Sequence, residues 1–122
     1  MNTPEWRGID DIEQFAPDTD MPLDPGIREW VLILRSRGIE TFESCQGGEG
    51  HSSPESFIRF HGNAYEGFRA YTEAMNHGIP VFELRQVYVV SDGRLEGPIW
   101  EFGFLARDIQ RVLDKALREA KE

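Results

Sequence analysis

The chain has 122 residues, which is enough for one domain and too few for two independent hydrophobic cores. Its longest apolar run, from Trp30 to Leu34, is far shorter than a membrane span of about 18 residues. A net charge of −9 argues against general nucleic-acid binding. One cysteine cannot form an internal disulfide, and the N-terminus lacks the pattern of a secretion signal, so the composition predicts a cytoplasmic protein.

Residues 1–23 are predicted to form an acidic, irregular arm ahead of a single domain, residues 24–122. The first 25 residues carry seven acidic side chains against one basic side chain, and four of the seven prolines lie among them. Apolar residues recur at every third position of the arm, which allows a short helical turn to dock on the domain. These residues are Trp6, Ile9, Ile12 and Phe15.

The first half of the domain is predicted to follow the order helix, strand, strand, helix. Asp24 and Pro25 suit the start of a helix that ends before Gly38. Residues 39–45 and 57–61 have the composition of strands on either side of a Gly/Ser loop. Asn63 suits the start of a second helix, with Glu66 as its capping-box partner. The apolar face of that helix is predicted to contain Ala64, Phe68, Tyr71 and Met75.

The second half is predicted to form a hairpin and a final helix. A three-residue turn at 91–93 places Leu84 opposite Trp100, whereas a two-residue turn would split the apolar face of the hairpin. Gly97–Pro98 suits a bulge, and residues 109–120 carry one apolar stripe at helical spacing. The predicted fold class is α+β, a single two-layer domain of order α-β-β-α-β-β-α. Helices pack on a four-stranded, largely antiparallel or mixed sheet.

The loop from Ser44 to His51 is the predicted functional element. Three glycines in four positions allow the backbone to approach a ligand closely or to direct its amides at an anion. If the flanking strands pair, side chains from the loop and from the outward face of the second strand converge. The predicted ligand-binding residues are Cys45, Gln46, Gly47, Gly48, Gly50, His51, Phe57, Arg59 and His61.

Binding of a small polar or anionic, for example phosphorylated, molecule is the favoured interpretation of this loop. Arg59 would hold an anionic group, and an aromatic side chain would stack on a ring. The candidates for stacking are Phe57, Tyr88 and Trp100. The common nucleotide-binding fingerprints are absent from the sequence.

Catalysis and metal binding are the alternatives. Cys45 is a candidate nucleophile with His51 or His61 as its base and Glu43 or Glu49 as the orienting group, although no family-specific signature surrounds it. Cys45, His51 and His61 offer only three metal ligands at a spacing unlike common zinc sites, so no metal and no cofactor are predicted. We therefore expect a binding protein rather than an enzyme, and no catalytic residue is assigned.

The segment Gly38–His51, followed by Ile58–Gly62, resembles a group of small proteins from bacteriophages and proteobacterial genomes. The resemblance continues through Trp100–Phe102 and so covers most of the chain after the arm. The group has no firmly assigned activity. The resemblance implies a phage or bacterial accessory protein, located in the host cytoplasm if phage-encoded, with a nucleotide signal among the conceivable ligands.

Protein–protein contact is the last expectation. Both faces of residues 81–90 carry apolar side chains, which need a covering layer from helices of the same chain or from a second copy. This pattern predicts a homo-oligomer. A further alternative is that the chain is a protein–protein interaction domain with no small-molecule site.

Overall fold

A computed structural model describes residues 23–51 and 53–121, and within these ranges it contains three α-helices and one four-stranded sheet. The elements are α1 (Arg28–Ser36), β1 (Thr41–Cys45), β2 (Phe57–Phe60), α2 (Glu66–Asn76), β3 (Glu83–Ser91), β4 (Arg94–Gly103) and α3 (Ala106–Ala120). This order confirms the predicted α+β fold. The acidic arm and its predicted helical turn lie outside the described residues, apart from Leu23. None of the helices described here has the length and hydrophobicity to span a bilayer.

The sheet has the order β1-β2-β4-β3, and every neighbouring pair is antiparallel. Ile58, Phe60 and Phe102 alternate with the polar residues of the same strands and join the core formed with α1 and α2. The opposite face carries Arg59 and Glu101. The sheet therefore has an apolar face under two helices and a charged face, and the charged face is where the candidate site lies.

Helix α1 begins at Arg28 rather than at Asp24, and the side chain of Asp24 does not cap it. The Asp24 backbone carbonyl accepts hydrogen bonds from the N–H groups of Ile27 and Arg28. Its carboxylate accepts from the backbone N–H of Gln46 in the Gly-rich loop instead of from α1. The predicted stop is confirmed, because Gly38 has φ +80° and the following N–H of Ile39 donates to the Leu34 carbonyl.

The prediction for the buried face of α2 is wrong. Its buried residues are Gly67, Ala70 and Ala74, while Phe68, Tyr71 and Met75 are exposed. A Cβ added at Gly67 would lie 2.6 Å from the Trp100 ring, so small residues let this helix approach the sheet closely. Helical spacing identifies a stripe of large apolar side chains, but it does not determine which face of the helix packs against the core.

The predicted hairpin register is also wrong. The turn has two residues, Asp92 and Gly93, and Ser91 pairs with Arg94. The predicted bulge is present, since the register shifts between Val87 and Val89, opposite Gly97–Pro98. The bulge adds one residue to β4 and restores the alternation that a two-residue turn alone would break. Leu84 consequently lies opposite Phe102, not Trp100.

Candidate functional site

The Gly-rich loop is held by its own hydrogen bonds. The N–H of Gly47 donates to Cys45 Sγ at 3.4 Å, and the N–H of Gly48 donates to the Pro54 carbonyl at 3.1 Å. Gly47 has φ +78°, and a Cβ there would lie 2.7 Å from the backbone nitrogen of Ser56. These amides point into the loop, so they do not form the predicted anion-binding nest.

Asp24, Gln46 and His51 form a hydrogen-bonded cluster at the base of this loop. Gln46 Oε1 accepts from the backbone N–H of Gly26 at 2.8 Å, and Gln46 Nε2 lies 3.0 Å from His51 Nε2. Asp24 Oδ2 accepts from the Gln46 backbone N–H at 3.1 Å and lies 3.5 Å from His51 Nδ1. Because the Gly26 N–H requires the Gln46 oxygen, the Gln46 amide donates to His51 Nε2, and the ring proton belongs on Nδ1, facing Asp24.

Cys45 completes the cluster from the end of β1. Its side chain is buried, with 2 % of the residue exposed. One donor atom each from Asp24, Cys45 and His51 lies within 4.8 Å of the others. The group beside His51 is therefore Asp24, instead of the predicted Glu43 or Glu49, and these three residues are the candidate metal ligands among the described residues.

His61 does not join Cys45. Cys45 pairs with Phe57 at one end of β2, whereas His61 follows the other end and stacks on Phe42 with ring centroids 4.1 Å apart. The register shift between Thr41 and Glu43 leaves Phe42 as an extra residue against which the His61 ring lies. The predicted convergence of Cys45, His51, Arg59 and His61 is therefore not formed.

A row of alternating charges crosses all four strands on the charged face. Glu43 of β1, Arg59 of β2, Glu101 of β4 and Arg85 of β3 lie directly opposite one another in order. Arg59 donates to Glu43 at 3.0 Å and to Glu101 at 2.9 Å, and Arg85 donates to Glu101 at 2.7 Å. The Glu101 side chain is only 4 % exposed, so two guanidinium groups share one buried carboxylate.

This row forms the floor of a cleft of about 750 Å³. One wall is the loop, through Gln46, Gly47, Gly48 and residues 53–56, and the other is the start of α3, from Leu105 to Leu113. Phe57 and Arg59 also line it, with the Arg59 guanidinium carbon 4.6 Å from the centre of the Phe57 ring. The described lining residues do not include Cys45, Gly50, His51 or His61.

The cleft is more acidic than the predicted site. Its ionisable lining side chains are Glu43, Glu55, Glu83, Glu101, Arg59 and Arg85. Four carboxylates thus face two guanidinium groups. Phe82, which is largely exposed, supplies an open aromatic surface, whereas Tyr88 and Trp100 are not among the described lining residues.

Sequence reasoning missed Asp24, Arg85, Glu83 and Glu101 as site residues. A signal for two of them was present, because the predicted register placed Glu83 opposite Glu101, an unfavourable pair. Shifting the pairing by two residues brings Arg85 opposite Glu101 and removes this repulsion. No comparable signal identified Asp24, which was assigned to a helix cap.

Comparisons of the chain with protein-family models, curated proteins and solved structures give no match.

Proposed function

We propose that the protein is a binding module for a small polar molecule that carries a positive charge, held in the cleft between the charged sheet face and α3. The observation that carries this proposal is the floor of the cleft, where Arg59 and Arg85 are already paired with Glu101. A ligand on this floor meets two guanidinium groups that are already paired with a buried carboxylate, together with a surplus of carboxylate groups.

The charges favour a cation over a phosphorylated ligand. Glu83 and Glu55 lie at the exposed rim of the cleft. The nearby amides of Gly47 and Gly48 are already used within the loop, so they offer an anion no compensating contact. Phe82 and the apolar side of α3 bury the non-polar part of a ligand.

The test is an NMR titration of the ¹⁵N-labelled chain with agmatine, a small dication, and with pyrophosphate as the anionic counterpart. We expect agmatine to shift the amide signals of Gly47, Gly48 and Gly103, which surround the cleft. Glu83→Gln should weaken this binding several-fold, because it removes one rim carboxylate. Glu119→Gln is the matched control, since Glu119 is exposed near the end of α3, outside the cleft lining.

Two outcomes contradict the proposal. If pyrophosphate shifts these amide signals and agmatine does not, the cleft binds an anion, as the sequence predicts, and not a cation. The absence of shifts with both probes would reject a polar ligand site in the cleft.

A second candidate function, protein–protein contact, is favoured by the outer face of α2. This face exposes Tyr65, Phe68, Tyr71 and Met75, and 66 % of Phe68 is accessible. Contiguous exposed aromatic surface is typical of interaction sites. If a second copy covers it, light scattering should give a mass above that of one chain, and Phe68→Ser should return the monomer. A monomeric mass at high concentration excludes self-association through this face.

A further inference from the structure

We propose that Asp24, Cys45 and His51 form a binding site for a divalent transition metal ion of the zinc type, with Gln46 as the residue that controls its affinity. None of the three metal donors is among the described residues that line the cleft, whereas Gln46 lines the cleft and also contacts His51.

Three chain segments bring the donors together. Asp24 precedes α1, Cys45 ends β1, and His51 closes the Gly-rich turn. Their donor atoms lie within 4.8 Å of one another, and the Asp24 Oδ2 to His51 Nδ1 distance of 3.5 Å is close to the ligand spacing around a tetrahedral zinc ion. Metal binding requires the three donor atoms to move closer together than this upper bound of 4.8 Å.

The donor types match zinc or cobalt better than magnesium or calcium. A thiolate and an imidazole are ligands of borderline and soft ions, while magnesium and calcium take oxygen ligands. The Cys45 side chain is held in place by two contacts: Sγ accepts from the Gly47 N–H at 3.4 Å and donates to the Ser53 carbonyl at 3.9 Å. Three protein ligands leave a fourth position for water or an external ligand.

Gln46 opposes the metal-bound state. In the present arrangement the His51 proton lies on Nδ1, the nitrogen that faces Asp24, and Gln46 donates to Nε2. Metal binding at Nδ1 moves that proton to Nε2, where it would meet the Gln46 amide hydrogens. The amide cannot turn over without removing the acceptor of the Gly26 N–H. Gln46 therefore weakens metal binding at this site and makes it reversible.

This conflict predicts that an isosteric change strengthens the site. In Gln46→Glu, one carboxylate oxygen accepts from Gly26 and the other accepts from His51 Nε2–H. A carboxylate behind a metal-bound histidine is a common supporting contact, and such contacts change affinity by about 10- to 100-fold. We expect Gln46→Glu to raise Zn²⁺ and Co²⁺ affinity by this factor, with no matching gain for Mg²⁺.

The experiment is a titration of the reduced full-length chain with Co²⁺, followed by competition with Zn²⁺. We expect one Co²⁺ ion per chain, with the absorption of a thiolate–cobalt bond and of tetrahedral coordination. Cys45→Ser should remove the thiolate absorption, and His51→Gln should lower affinity by more than the roughly 100-fold of a supporting contact. His61→Gln, the matched control, should leave both unchanged.

Three results would overturn the proposal. The first is the absence of a cobalt spectrum in both the unaltered chain and Gln46→Glu. The second is Co²⁺ binding that is unchanged in His51→Gln. The third is a rise in Mg²⁺ affinity in Gln46→Glu equal to the rise for Zn²⁺ and Co²⁺. His51 and Asp24 are partly exposed, so His51→Gln and Asp24→Asn keep the test decisive if Cys45→Ser does not fold.

Discussion

The Nε of Arg85 donates to Oε2 of Glu101 at 2.7 Å, directly across the β3–β4 pair. The bulge at Gly97–Pro98 makes this pairing possible, because the two-residue turn alone would leave the two side chains on opposite faces of the hairpin. One extra residue in β4 thus determines the composition of the cleft floor.

We first expect the two arginines of the floor to contribute unequally to stability. Arg59 is the less exposed and contacts both Glu43 and Glu101, so Arg59→Gln should lower the free energy of unfolding by about 1–3 kcal/mol. The Arg85 side chain is 45 % exposed, and Arg85→Gln should cost about 1 kcal/mol or less. Urea unfolding measures both values, with exposed Arg94→Gln as the control. Equal losses of unfolding free energy in the two variants would contradict the prediction that the more buried arginine contributes more.

The Arg85 effect should not depend on pH near neutrality. The hydrogen bond to Glu101 raises the pKa of Arg85 above its ordinary value, which is already strongly basic. A raised pKa stabilises the folded chain fully below the ordinary value, and this stabilisation is lost only as the pH rises above it. The difference between Arg85→Gln and the unaltered chain should therefore be constant from about pH 6 to pH 9.

We next expect the bulge glycine to be more sensitive than the turn glycine. Gly97 has φ +125°, and a Cβ would lie 2.9 Å from the Val87 carbonyl oxygen, so Gly97→Ala should cost about 3 kcal/mol. Gly93 has φ +77° with open space around it, and Gly93→Ala should cost about 1–2 kcal/mol. Thermal melts in parallel compare them. The reverse ranking would show that the bulge does not constrain β4.

We expect alanine substitutions on α2 to lower the free energy of unfolding on the buried face and to raise it on the exposed face. Gly67→Ala normally favours a helix, but here the added Cβ meets the Trp100 ring, so a loss of about 1–3 kcal/mol should result. Thr72→Ala on the exposed face should stabilise by a few tenths of a kcal/mol, about the difference in helix propensity. Chemical denaturation distinguishes these outcomes. A stabilising Gly67→Ala would mean that α2 packs differently.

We finally expect Cys45 to react slowly in the folded, metal-free chain. Burial of the thiol means that alkylation by iodoacetamide requires local opening. In Glu49→Cys, the added thiol lies on the exposed part of the loop and serves as an internal control. Mass spectrometry should show the control thiol reacting at least about 100-fold faster than Cys45, whose opening is rare. Equal rates would show that Cys45 is accessible in the folded chain.

Much of the architecture follows from local patterns. The four strands, the final helix and the stop at Gly38 depend on side-chain alternation, helical spacing and a left-handed glycine, all of which are properties of short segments. The loop from Ser44 to His51 is predicted as a functional element because three glycines in four positions allow the backbone to approach a ligand closely. Cys45, Gln46 and His51 do meet there.

Tertiary structure decided what these segments contact. The small face of α2 turns inward because Trp100 fills the space above it, a contact between residues more than thirty positions apart. The bulge sets which charges oppose each other on the sheet, and one extra residue reverses every such pairing. Asp24 reaches the loop instead of capping its own helix, since the Gln46 N–H lies within its reach. Each outcome depends on contacts between residues far apart in the chain, and sequence spacing does not encode those contacts.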